Sequence, residues 1–300
     1  MELSGLHSLE RINFLVNNLV GTIPNEYNGT TLPRLDLMQM GRNKLTGTLP
    51  ESLTTLSSLV TFIMFANKFS GTIPSLFFAL ERLQTFNVFN NRLTGTIPEF
   101  ESVSALQELF MGTNRFSGPI PLSISKATAL LSLYMDENYL TGTIHTELGL
   151  LQELETLALY TNMLESTIPS ELGRARDLSN GLWLDENMLV GSLPTELGSL
   201  KKLDYFGASK NMLDGEIPSV LFSGGMTSLR FLELHNNQFS GTLPSEISYV
   251  TNLRERAQQP SLSMSGRFAP SSSHRNFAFY LTLCFLYPTK TLRSGDSSQQ

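Results

Sequence analysis

The chain contains a single cysteine, Cys284, in 300 residues. One thiol supports neither an internal disulfide framework nor a cysteine-based metal cluster. Histidine is scarce too: His7, His145, His235 and His274 fall at unrelated places, so no metal-ligand spacing emerges and no metal is expected. The apolar run Phe277–Tyr287 has 11 residues, short of the roughly 20 that a helix needs to span a bilayer. The first residues lack the basic start and apolar core of a secretion signal. Positive charge is also short. Residues 1–253 hold 15 Lys/Arg against 25 Asp/Glu, a net charge of −10, while residues 254–300 hold 6 against 2. So acidic a body argues against nucleic acid as a partner. There is no glycine-rich phosphate loop, kinase signature set or nucleophile elbow. No catalytic residue and no cofactor are expected, and enzyme is the weak reading.

What the chain does have is one phrase written ten times. Its fullest spelling is Leu229–Pro244, in which Leu229, Leu232 and Leu234 lead to Asn237, then Phe239, Gly241, Leu243 and Pro244. The asparagine returns as Asn17, Asn43, Asn67, Asn91, Asn114, Asn138, Asn162, Asn187, Asn211 and Asn237, at intervals of 23 to 26 residues. A fixed period near 24 means a solenoid, because one short unit cannot bury its apolar face alone. Alternating apolar residues before each asparagine suit a short strand with one buried face. Strands are expected near 9–14, 35–40, 59–64, 83–88, 106–111, 130–135, 154–159, 178–184, 203–208 and 229–234. Where the chain turns inward after the strand, an asparagine amide supplies donors and an acceptor to backbone groups that would otherwise be buried unpaired. The asparagines are therefore expected to be scaffold. Met38, Met40, Met64, Met111 and Met135 fall at core positions, and the 41% hydrophobic content suffices for a continuous core.

The spelling Asn43-Lys-Leu45-Thr-Gly47-Thr-Leu49-Pro50 recurs at Asn91–Pro98 and Asn187–Pro194. It resembles the plant-type leucine-rich repeat of receptor-kinase ectodomains and polygalacturonase-inhibiting proteins, over about residues 3–253. Departures are few: Ser166 stands for the glycine, His145 for the proline, and one extra residue precedes Leu182. The resemblance implies an α/β-type repeat solenoid with little helix: a right-handed horseshoe with a concave parallel β-sheet and further short strands at the Gly-x-Ile-Pro segments. It also implies an extracellular or cell-surface setting and a protein or peptide ligand, with any membrane link made through regions outside this chain. A secreted inhibitor of a polysaccharide hydrolase, or the sensing half of a receptor kinase, are the alternatives it leaves open.

The informative positions are the outward ones, which the repeat sets in columns. Four and two residues before the asparagines stand Phe65, Phe89, Phe110, Tyr134, Tyr160 and Trp183, with Asp136, Glu137, Asp185 and Glu186 beside them. Read as exposed, these aromatics make a recognition surface about 24 Å long at roughly 4.8 Å per strand, matching about seven residues of extended peptide. The carboxylates, read as solvated rim charge, favour a ligand carrying Lys or Arg. Stacking of aromatics as a purely structural habit of strands is the competing reading.

Two extra residues between Pro24 and Leu32 lengthen a loop carrying Asn28-Gly29-Thr30, a glycosylation acceptor if the chain is secreted. At the start, Leu3, Leu6 and Leu9 match the end of a repeat, so the chain is expected to open in mid-repeat, as a fragment without a polar cap. The period stops after Leu253. Residues 254–276, rich in Ser, Gln, Pro and Arg, are expected to be disordered, and the segment after them is read as appended sequence rather than an anchor.

Overall fold

The computed structural model describes residues 6–254. The expectations for residues 255–300 lie outside them. Ten three-residue strands form one sheet: Arg11–Asn13, Leu37–Gln39, Thr61–Ile63, Thr85–Asn87, Glu108–Phe110, Ser132–Tyr134, Thr156–Ala158, Gly181–Trp183, Tyr205–Gly207 and Phe231–Glu233. They lie in sequence order and every pairing is parallel. The middle residue of each strand faces the middle residue of the next, so Ile12, Met38, Phe62, Phe86, Leu109, Leu133, Leu157, Leu182, Phe206 and Leu232 form one inward column. Leu157 still pairs with Leu182, so the extra residue is absorbed before that strand.

The strands are shorter than the alternation predicts, for a backbone reason. The residue just before each asparagine sits in the left-handed region, with φ between 50 and 56°, although only Asn90 and Asn236 among these ten favour it by type. Val16, Thr113 and Thr161 are β-branched and take the same conformation, at a cost of roughly 1–2 kcal/mol each. That residue turns the chain off the sheet and into the core.

The asparagine offsets the cost. Asn114 Nδ2 reaches Met111 and Gly112 carbonyls in its own repeat, at 3.1 and 3.2 Å, and the Val88 carbonyl of the preceding repeat at 3.0 Å. Its Oδ1 accepts the Leu93 N–H at 3.0 Å. The same acceptor bond from the preceding repeat's backbone recurs at Asn43, Asn67, Asn91, Asn138, Asn162, Asn187, Asn211 and Asn237. Among the described residues Asn17 donates only within its own repeat, to Phe14 and Leu15.

Beyond the asparagines, short parallel strands form a second tier. Ser70–Gly71, Arg92–Gly95, Arg115–Pro119 and Tyr139–Thr141 make the largest group. Gly47 needs its φ of +81° and its bare Cα, since a Cβ there would lie 2.7 Å from Thr22 Cγ2. Ser166 keeps the glycine conformation, at φ +72°, and the four-stranded group ends just before it. A 3-10 turn follows in most repeats, entered from the extended proline. His145 replaces that proline with the same extended backbone, and its Nε2 hydrogen-bonds the Ile120 carbonyl at 2.8 Å.

The core is continuous. It is leucine-built, apart from a phenylalanine group at Phe62, Phe77, Phe78, Phe86 and Phe100, with ring centroids 4.3–5.5 Å apart. The five methionines named above are all buried in it. Phe14, Val16 and Val20 in the first repeat are exposed. Among the described residues no helix is long and apolar enough to cross a membrane.

Replacing Asn114 by Ala should orphan backbone groups in two repeats and destabilise the solenoid by about 1–3 kcal/mol. The matching change at exposed Asn17 should stay within about 0.5 kcal/mol. Denaturant melting of the two variants checks the contrast, and equal losses would contradict it.

Candidate functional site

Every strand of the long sheet sends its flanking side chains to the outward face, and glycines decide how they lie there. At Gly181 an added Cβ would sit 2.3 Å from the Trp183 ring; at Gly41 it would sit 2.6 Å from the Phe65 ring. Both rings thus lie flat over bare backbone. At Gly207 the Tyr205 ring and the Asp185 carboxylate share the vacant place, 2.7 and 2.1 Å from the same point. Gly112 accommodates Asp136 in the same way, with both carboxylate oxygens within 2.7 Å.

This overturns the expectation of an exposed aromatic run. Phe65 and Phe110 are 4% exposed, Tyr134 and Tyr160 8%, while Phe89 and Trp183 are half-buried. The rings cover one another rather than stand in water. Phe110 stacks on Tyr134 at 4.9 Å, Tyr134 meets Trp183 at 6.5 Å, Trp183 stacks on Tyr205 at 5.3 Å, and Tyr205 meets Phe231 at 6.3 Å. Tyr134 and Trp183 belong to strands two apart, with Ala158 in register between them. That small residue lets the rings meet. The Arg230 guanidinium lies 5.6 Å from the centre of Phe231 and is paired with Asp204.

Tyr205 and Phe231 were absent from the sequence reading, which followed only two columns. They lie six residues before their asparagines, a position of the same outward parity, and period-two counting carried one step further finds them.

The carboxylates differ from expectation as well. Asp136 is 1% exposed and Asp185 7%, so neither is solvated rim charge; neighbouring side chains close over both. Asp185 Oδ1 accepts the Ser209 N–H at 2.9 Å and the Ser209 hydroxyl at 2.6 Å, but its Oδ2 has no partner. Neither oxygen of Asp136 meets a donor at hydrogen-bond geometry, although Tyr160 stands close enough to temper its charge. Burial pushes the Asp136 carboxyl up to about 7, and Glu137 adds to the rise. Burial pushes Asp185 up to about 6, against the pull of Ser209 and with that of Glu233. Burial likewise raises the hydroxyls of Tyr134 and Tyr160, the latter further beside Asp136. Glu186 is exposed and held below the ordinary glutamate range by Lys210. Glu137 accepts the Thr113 hydroxyl at 3.1 Å.

Asn28 lies in the lengthened loop, half-buried. Its Oδ1 accepts the N–H groups of Thr30 and Thr31 at 2.9 and 3.0 Å.

A carboxyl raised on folding holds a proton that the unfolded chain loses near pH 4. Its contribution to stability is complete below that value and declines as pH rises towards the folded pKa. The solenoid should therefore melt higher at pH 5 than at pH 8. Asp136→Asn should flatten that dependence between pH 4 and 7 and gain on the order of 2–4 kcal/mol at pH 8. Thermal melting across pH checks this; a variant less stable than the parent at pH 8 would contradict it.

Against known proteins, a leucine rich repeat family model matches residues 82–102 and 228–250. Solved structures match over far more of the chain. The plant peptide hormone receptor RGFR1, in complex with RGF2, is 34% identical over 84% of this chain and 43% of its own, with a TM-score of 0.79. A TDR receptor is 36% identical with the same coverages and TM-score. PEPR1–AtPEP1 is 33% identical over 84% of this chain and 35% of its own, again at 0.79. The chain thus spans less than half the length of these structures. No curated protein matches it in sequence. Repeat spelling, asparagine ladder, parallel sheet and these likenesses agree: the chain is a plant-type leucine-rich repeat protein.

Proposed function

We propose that the chain recognises a peptide or protein ligand, without catalysis, on the outward face of its long sheet. The aromatic ladder from Phe110 to Phe231 carries this reading. Five strand steps separate its ends, about 24 Å, which suits some seven residues of extended peptide. Most of the rings are held by stacking before a ligand arrives, so binding loses little side-chain freedom. Trp183 is the half-buried member and presents both a broad apolar surface and an indole N–H, the combination that anchors interfaces. Two of the similar structures are complexes, the plant peptide hormone receptor RGFR1 with RGF2 and PEPR1 with AtPEP1.

The test is selection from a random heptapeptide library on the full chain, followed by affinity measurements. Trp183→Ala and Phe89→Ala, confirmed as folded by melting, should weaken the selected peptides; about 2 kcal/mol, or thirtyfold, is expected at Trp183. The control Lys201→Ala, on an exposed turn next to a 3-10 segment, should leave them unchanged. Peptides indifferent to both aromatic variants would place the binding surface elsewhere.

A further inference from the structure

Asp136 and Asp185 occupy the same column, two residues before Asn138 and Asn187, with Tyr160 between them. Each rests against a glycine of an adjoining repeat, Gly112 or Gly207, so the floor beside each carboxylate is bare backbone. Each is closed off by neighbouring side chains on the outward face, Tyr160 at Asp136 and Tyr205 at Asp185. Three of their four oxygens meet no donor at hydrogen-bond geometry, with the Tyr160 hydroxyl standing near Asp136. Buried carboxylate oxygens are almost always partnered, because an unmet one forfeits its solvation. The residues around Asp136 add no compensating cation: Tyr134, Tyr160 and Glu137 face it, with Glu108 beyond. Around Asp185 stand Ser209, Tyr205 and Glu233, while Lys210 is committed to Glu186, with His235 nearby, and Arg230 is committed to Asp204.

We propose that Asp136 and Asp185 are twin receptacles for two cationic side chains of one extended peptide, which enter as the Tyr160 and Tyr205 rings swing aside. The proposal rests on the recognition reading above and specifies the ligand's chemistry. The two strands lie two steps apart, about 9.6 Å, which one turn of polyproline II helix spans, three residues at roughly 3.1 Å each, with its n and n+3 side chains on the same side. A ligand with basic residues at positions n and n+3 therefore places one cation at each carboxylate. Arginine fits better than lysine, since its planar group can bond a carboxylate through two N–H donors and stack on the tyrosine and tryptophan faces. In the empty protein Asp136 keeps its proton up to about pH 7 and Asp185 up to about 6. An arriving cation displaces it, so binding releases protons and tightens as pH rises from 5 to 8.

Trp183 is the only tryptophan in the chain and lies within the ladder, so its fluorescence reports on the site. The full chain is titrated with capped heptapeptides carrying two arginines at n and n+3, two adjacent arginines, or two glutamines. The n, n+3 peptide should bind at least tenfold tighter than either control, and tenfold tighter at pH 8 than at pH 5. Asp136→Asn with Asp185→Asn, isosteric and free of buried charge, should melt no lower than the parent and bind all three peptides alike. Calorimetry in two buffers of different ionisation enthalpy should show proton release that the double variant lacks. Equal binding of the three peptides by the parent, or an unchanged preference in the double variant, overturns the proposal. If library-selected peptides then still depend on Trp183, recognition stands and only the paired receptacles fall; if no peptide binds in either experiment, both fall. Free spermidine competing as well as the n, n+3 peptide would assign the carboxylates to small polyamines and overturn a peptide ligand.

Discussion

The structure depends on a hydrogen-bonded turn that each repeat makes as it leaves the sheet. The residue before the asparagine takes a left-handed conformation that most side chains avoid. The asparagine then gathers the carbonyls this turn strips from the ladder and accepts an N–H from the repeat before. Neither feature is stable alone. The turn without the amide leaves buried carbonyls unmet, and the amide without the turn has nothing to gather. From Asn43 onward one of the bonds crosses to the preceding repeat, so each of these asparagines stitches two units together. Cohesion is then a chain of nearest-neighbour terms, and an interior unit is tied on both sides where a terminal one is tied on one. The Asn17 side-chain amide, which among the described residues bonds only within its own repeat, shows the difference.

That stitching fixes register, and register makes the outward face a designed surface rather than a random one. With strand centres paired residue for residue, substitutions at one offset fall in one column, and adjoining columns meet side by side. A glycine in a column is then an opening that the neighbouring repeat can fill. Phe65 over Gly41 is a ring laid down into such an opening, while Trp183 lies over Gly181 of its own strand. A protein that presents aromatics this way gains rigidity, because each ring is held by stacking before anything binds.

The period, the asparagine column and the core methionines were legible because each follows from spacing, and the parallel sheet because the spelling resembles a known repeat family. Parity also assigned the outward aromatics to the correct face. What spacing could not supply was the direction in which a side chain lies once it leaves that face. Phe110 and Tyr134 were placed in water because alternation distinguishes inside from outside but not upright from flat. The clue was present in the glycines of the same columns, Gly41, Gly112 and Gly207, whose emptiness matters only when the neighbour across the ladder is considered. The left-handed residues escaped for a different reason. Val16, Thr113 and Lys210 give no local hint of a positive φ, and the requirement comes from the turn and its amide rather than from residue type.

The buried aspartates are the one place where local preference and fold disagree. A solenoid could fill those positions with leucine or asparagine and be more stable, since an uncompensated buried carboxyl is destabilising at neutral pH. Asp185 is partly met by Ser209, but Asp136 is met by nothing at hydrogen-bond geometry. The nearest-neighbour construction is what makes such a site tolerable. The cost stays within the repeats that touch it, and the asparagine bonds on either side, at Asn138 and Asn162, remain intact. A repeat protein can therefore hold a destabilised group on its working face without loosening the rest. The same group, once paired by an incoming cation, returns the energy that folding left unspent.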